Sequence, residues 1–217
     1  HHLTDTHDVI LNMLEECRKV GHEDRALMFC SLSKVTFPGA GVAAMAASRR
    51  NIDYILKNMF PMIISFDKLN QVRHIRFLKD MDGLAAHMEK HRALLEPKFR
   101  AVLAILDEGL SGCGSIARWT KPNGGYFLSL YTLGGCAKRT VQLCREAGVV
   151  LTDAGAAYPY GVDPQDSNIR IAPSFASAEE IEPAARLFTI CVRLATLEKL
   201  AATRFASETA LGAERIA

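Results

Sequence analysis

Apolar residues recur at helical spacing in DVILNMLEECRKV (8–20), where Val9, Ile10, Met13, Leu14 and Cys17 form a stripe that stops at Gly21. This pattern predicts an amphipathic helix. Next, Ala26-Leu27-Met28-Phe29-Cys30 is an unbroken apolar run of buried-strand length. It ends at Ser31-Leu32-Ser33-Lys34, and the turn-rich Pro38-Gly39-Ala40-Gly41 follows. Residues 42–59 read as helix again, in two pieces parted around Ser48. The longest helical tract spans 67–110: Leu69, Val72, Ile75 and Leu78 repeat every three residues, and Leu84, Met88, Leu95, Phe99, Val102 and Leu106 continue the stripe. Gly83 and Pro97 are expected to break or kink it. A tract this long commonly links two domains.

Beyond Gly112 the pattern becomes mixed. Residues 126–130, 148–152 and 168–172 read as strands, and 137–147 and 177–200 as helices. Ser177 and Glu180 match the Ser-x-x-Glu capping box ahead of an apolar-periodic run. The Ala-rich, polar end, 203–217, is expected to fray. Strands alternating with helices after a long helix predict an α/β fold, its small carboxy-terminal domain covered on one face. No internal repeat is present.

Composition narrows the class. The chain has 217 residues, and at about 100–200 residues per domain that allows one large or two small domains. With 49% hydrophobic and 23% charged residues it is close to the globular average, which excludes collagen, bulk disorder and a disulfide scaffold. A formal charge of +2 with no dense Lys/Arg run gives no reason to expect nucleic acid. No apolar run reaches membrane-spanning length, so no membrane partner is expected. The six cysteines are scattered without CxxC spacing, as expected for reduced thiols of a cytoplasmic protein. His1-His2-Leu3-Thr4-Asp5 does not read as a signal peptide.

Two places carry candidate chemistry. Lys34 closes the first strand between hydroxyls and a glycine turn, where an amine can face a cleft, and desolvation there lowers an amine's pKa as Schiff-base chemistry requires. Ser31, Ser33 and the amides near Gly39 and Gly41 could hold an anion such as phosphate. A solvated turn lysine is the competing reading. Ser31-x-x-Lys34 also matches a penicillin-recognising motif, but the Ser-Asp-Asn and Lys-Thr-Gly triplets are absent. Gly39-x-Gly41-x-x-Ala44 meets a loose dinucleotide fingerprint, against which Pro38 and the lack of an acidic residue near position 60 both count. The second place is Asn168-Ile169-Arg170-Ile171-Ala172, where strand alternation sets Arg170 opposite the two isoleucines. Such an arginine could grip a carboxylate through two parallel hydrogen bonds, or be a structural or exposed-face arginine.

Other clusters carry less. His87 and His91 share a helix face, but Met88 stands where a zinc-protease motif needs Glu, and a solvated face is expected. His1, His2 and His7 lack a cysteine partner at zinc-site spacing, and no metal is assigned. Trp119 reads as structural, and so does the tight turn at Asn123-Gly124; Tyr126 is expected to pack in the core.

Four segments in this order, SLSKVTFPGAGV (31–42), DKLNQVRHIRFLKDMDG (67–83), WTKPNGGYFLSL (119–130) and GVVLTDAGAAYPYGVDPQDSNIRIAPSF (148–175), resemble the fold type I pyridoxal-phosphate-dependent aminotransferases, in particular a bacterial aspartate aminotransferase-like group. The resemblance implies the end of a large cofactor-binding domain over 1–66, an interdomain helical tract over 67–110, and a small α/β domain over 111–217. It implies a Schiff base between Lys34 and pyridoxal 5'-phosphate, phosphate contacts from Ser31 with Ser33 also at the cofactor, and a substrate α-carboxylate on Arg170. Transamination would follow, with an amino acid and a keto acid as substrates, aspartate or glutamate with 2-oxoglutarate being favoured, in a cytoplasmic homodimer. Many relatives carry a phosphate-gripping arginine seven or eight residues after the lysine, where this chain has Gly41 and Val42. Family members are also about twice this length, so the chain resembles a carboxy-terminal half, expected to turn over poorly alone. A non-catalytic ligand-sensing domain of a transcriptional regulator is the alternative from another class, and a lyase using the same cofactor is a third.

Overall fold

The computed structural model describes Leu3 and residues 8–214, with side chains through Phe205. His1, His2 and His7 lie outside the described residues. The chain divides into two compact units, residues 7–91 and residues 92–217 together with the first six.

In the second of these, the 30-residue helix α4 (Met81–Leu110) contributes Leu95, Phe99, Val102, Ile105, Leu106 and Leu110 to one buried cluster, the i, i+3, i+4 spacing putting them on one face. Facing it is an antiparallel sheet ordered β3 (Ala117–Trp119), β4 (Leu128–Thr132), β5 (Asn168–Ile171). Leu128 and Leu130 alternate inward on β4 and meet Ile171 and Ile169 of β5 in register. Helices α5 (Ala137–Glu146) and α6 (Ala178–Glu214) complete the core through Val141, Cys144, Phe188 and Val192. Each fully buried leucine or valine contributes on the order of 1.5–3 kcal/mol. The core thus covers one face of the sheet, and α6 opens on the expected capping box: Ser177 N–H donates to Glu180 Oε2 at 2.9 Å and Glu180 N–H to Ser177 Oγ at 3.3 Å.

The unit of residues 7–91 is built differently. Helix α1 (Met13–Lys19) begins later than the apolar stripe implies, because Asn12 Oδ1 accepts from the amides of Leu14 and Glu15 and fixes the helix start. Strands β1 (Leu27–Ser31) and β2 (Ala43–Ala47) pair antiparallel as a hairpin. Helices α2 (Arg49–Met59) and α3 (Lys68–Leu78) follow, capped by Ser48 and Asp67. Among the described residues of this unit only Ala26, Asn70 and His74 are buried.

Several expectations are corrected. Residues 43–47 form a strand, since pairing with β1 overrides the helix propensity of Ala-Ala-Met-Ala-Ala. The run ending at Cys30 is a strand but an exposed one. Residues 148–152 form no ladder: Val149 N–H closes the end of α5 on Cys144 O, and the next residues stay irregular. The strand expected at 126–130 sits two residues later, and β3 was not foreseen. The long tract breaks at Lys79–Asp80 rather than at Gly83 or Pro97. Asp80 Oδ1 accepts from Gly83 N–H at 2.8 Å, and a Cβ at Gly83 would lie 1.8 Å from Leu78 O, so glycine there permits the turn between α3 and α4. Helix α6 continues to Glu214, through most of the segment expected to fray, and residues 215–217 lie outside the described residues.

Candidate active site

Lys34 sits in a single helix-like turn that follows β1. Leu32 O accepts the amides of Val35 (2.9 Å) and Thr36 (2.8 Å), while Leu32 N–H reaches across to Val42 O at 2.9 Å. The hydroxyls of Ser31 and Ser33 are 2.8 Å apart, and Ser33 N–H donates to Ser31 Oγ at 3.1 Å. The chain then returns through Gly39, at a φ of +82°, and Gly41. A Cβ at Gly41 would lie 2.8 Å from Ser33 Oγ and 3.2 Å from its amide nitrogen. A side chain at this position would press on Ser33. The side chain of Lys34 is exposed, so the residues described around it do not supply the desolvation expected of it.

Helix α3 and the first turns of α4 hold this loop from behind. Asn70 Nδ2 donates to the carbonyls of Ala40 and, at 3.2 Å, Gly41. His74 is buried; its Nδ1 is 2.8 Å from Asn70 O and therefore donates, and its Nε2 is 2.7 Å from Thr36 Oγ1. His87 Nε2 lies 2.8 Å from Val35 O and donates to it, because a carbonyl can only accept. Phe77 packs at a tilt against Phe37 and edge to face against His87. His87 and His91 are thus neither a solvated face nor part of a metal cluster; among the described residues no group of metal ligands gathers anywhere.

Arg170 lies in the other unit, on β5. Its Cζ stands 4.7 Å over the ring of Phe127, and its buried Nε has no hydrogen-bond partner among the described residues. Ile169 and Ile171 pack against the core as expected, leaving Arg170 on the alternate side opposite Ser129. Asn168, also on β5, is buried with an unpartnered Oδ1. Phe127 was not foreseen; it is two residues before Ser129, hence diagonal to Arg170 once the register is known. Trp119 and Tyr126 pack against the core.

The approach to β5 is fixed by Asp163. Its Oδ2 accepts the amides of Ser167 (2.7 Å) and Asn168 (2.8 Å), and its Oδ1 that of Gln165 (2.9 Å). Burial alone would raise this carboxyl, but those amides hold it below the usual range. Its stabilising effect is therefore complete above the unfolded value of about 3.9 and lost as pH falls through the lower folded value. Asp163→Ala is expected to cost about 2–4 kcal/mol in urea unfolding at pH 7, because buried amides lose their acceptor, and the cost is expected to shrink progressively as pH falls below the usual carboxylate range. A cost independent of pH would contradict the charged contact.

These two arrangements are the background for comparison with known proteins. Residues 1–204 match the family model described as aspartate amino-transferase, and the chain belongs to that family. It is 46% identical over 200 residues to a Mycolicibacterium smegmatis protein with a provisional aminotransferase name, and 40% identical over 201 residues to a Corynebacterium glutamicum aspartate aminotransferase. These alignments cover 92% and 93% of this chain but 46% of each relative, so the chain spans about half their length. The solved aspartate transaminase from Corynebacterium glutamicum superposes with a TM-score of 0.86, at 40% identity, over 92% of this chain and 47% of that one. A Thermus thermophilus α-aminoadipate aminotransferase, solved with N-(5'-phosphopyridoxyl)-L-leucine, shares the fold at a TM-score of 0.72 and 20% identity, over 90% of this chain and 48% of that one. No helix among the described residues is long and apolar enough to cross a membrane.

Proposed function

We propose that this chain is the lysine- and arginine-bearing half of a pyridoxal-phosphate-dependent aminotransferase acting on an α-amino acid, aspartate or glutamate, with 2-oxoglutarate as acceptor. The observation that carries the reading is the built turn at 31–42: a lysine directly after a pair of hydrogen-bonded serine hydroxyls, on a loop that a side chain at Gly41 would fill. That cradle suits a phosphate-bearing aldehyde. Lys34 Nζ would bind the aldehyde covalently, and Ser31 and Ser33 would offer hydroxyls to the phosphate in place of the usual arginine. When bound, the cofactor supplies an electron sink for the carbon that loses its proton.

This chain's own residues do the rest. Arg170 orients the substrate by its α-carboxylate through its guanidinium fork, with Phe127 supporting the guanidinium from one face. With its amine free, Lys34 would be the group that takes the substrate α-proton and gives it back, as base and then acid. The aspartate preference is supported by the name of the Corynebacterium glutamicum relative. Names of enzymes at this identity also favour catalysis over the ligand-sensing alternative. A homodimer is supported by the apolar side chains exposed over residues 8–91, among them Phe29, Phe60 and Ile64. A cytoplasmic setting is in keeping with six unpaired cysteines.

Incubation with pyridoxal 5'-phosphate, borohydride reduction and peptide mapping test the reading. The phosphopyridoxyl mass is expected on the peptide containing Lys34, in clear excess over the other lysines. Even labelling of all exposed lysines would refute a built site.

A further inference from the structure

We propose that His87 is a positioning residue for Lys34, its Nε2–H gripping the carbonyl of Val35 and so fixing the turn from which the lysine amine projects; its importance for the reaction rests on the function proposed for Lys34. The turn is closed on itself at Leu32 O and tied to β2's side of the hairpin through Leu32 N–H and Val42 O. Among the described residues its far end has no such backbone tie. There the contacts are side-chain ones, Thr36 to His74 and Val35 to His87, 52 residues further along the chain. Of these, the contact at Val35 is the nearer to the lysine, since its carbonyl belongs to the Val35–Thr36 peptide unit, one residue beyond Lys34. Loss of that anchor would free the Val35 backbone and, through it, the turn from which the Lys34 side chain projects.

The His87 ring is well placed to act as a fixed donor. Phe77 meets it edge to face at 5.1 Å and His91 at 4.7 Å, so its plane is set from two sides. The proton location follows from the contacts. His91 Nε2 is 3.2 Å from the same His87 Nε2 that must donate to Val35 O. A nitrogen that carries the donated proton cannot also accept, so His91 can only present a lone pair there. Burial and the neighbouring His87 push the His91 pKa down, which favours the neutral ring this requires. His87 therefore carries its proton on Nε2, shared between Val35 O and His91.

Two variants of the 217-residue chain test this. His87→Phe keeps an aromatic ring and removes the donor, whereas His87→Gln keeps an N–H able to reach the carbonyl. In hydrogen exchange, the amides of Val35 and Thr36 are expected to open about tenfold faster in His87→Phe, in line with one lost hydrogen bond, and close to the parent rate in His87→Gln. The α4 amides over 95–110 serve as a folding control and are expected to be unchanged. Lys34 labelling by pyridoxal 5'-phosphate and borohydride should fall several-fold in His87→Phe and recover in His87→Gln. Unchanged exchange in His87→Phe, or equal loss in both variants, would overturn the proposal. Should His87→Phe fail the folding control, nitrogen NMR of the parent decides the matter: an Nδ1–H tautomer at His87 contradicts it. Absence of Lys34 labelling in the parent would refute the cofactor reading alone, leaving the exchange and NMR results to judge the His87 contact.

Discussion

Lys34→Ala and Lys34→Arg are both expected to lower transamination by about 10²–10⁴-fold in an active holoenzyme containing these residues, the contribution of a positioned proton carrier. Alanine removes the amine. Arginine keeps the charge and most of the reach, but a guanidinium does not give up its proton near neutral pH, so it can neither bind the aldehyde nor accept the α-proton. Equal failure of the two variants would separate acid–base and covalent roles from a merely electrostatic one. The side chain is exposed on its turn, and residues 95–110 belong to the other compact unit. Hydrogen exchange over residues 95–110 should therefore match the parent. Steady-state kinetics with aspartate and 2-oxoglutarate provide the measurement, and a Lys34→Arg rate within tenfold of the parent would remove Lys34 from the mechanism.

The parts of the fold that could be read in the sequence are those whose pattern is local. Helix 137–147 was legible from its apolar spacing and ends at Glu146. Ser177 and Glu180 declared the start of α6 because both partners of the capping box lie within one turn. The failures share another cause. Ala43–Ala47 has strong intrinsic helix propensity, and only its pairing with Leu27–Ser31 makes it a strand. Residues 148–152 have the β-branched content of a strand and no ladder partner, and a partner cannot be read from composition. Lys34 and Arg170 stand out as candidates in the sequence because each is framed by its own neighbours. His87 was not: its carbonyl partner is 52 positions away, and an i, i+4 histidine pair on a helix looks the same whether it faces water or holds a loop.

The apolar stripe of α3 makes the same point about burial. Leu69, Val72 and Ile75 recur as a core face should, yet in this structure all are exposed, while the polar Asn70 and His74 between them are buried against the lysine loop. Periodicity identifies a face that favours cover; it does not say what covers it. The exposed apolar face of residues 8–91 is the surface that the proposed homodimer would bury. The contrast with residues 92–205 is physical: there α4, α5, α6 and the sheet bury one another's apolar side chains within a single contiguous cluster.

Arg170→Ala is expected to lower kcat/KM for the amino acid by about 10²–10⁴-fold, since each hydrogen bond to a charged partner is worth about 1.5–3 kcal/mol and the fork makes two. The buried Nε has no hydrogen-bond partner among the described residues, which leaves it free to donate to a carboxylate. Arg170→Lys should fall between the two, because an ammonium retains the charge but not the paired donors. Stability should change little, as the stack on Phe127 is a half-exposed cation–π contact worth about 0.5–1 kcal/mol. Borohydride labelling of Lys34 should not change either, since the turn that holds the cofactor is built from residues 31–42 and the helices behind it. The pair of readouts separates substrate binding from cofactor binding. A kcat/KM within threefold of the parent in Arg170→Ala, with labelling intact, would assign the carboxylate to another residue.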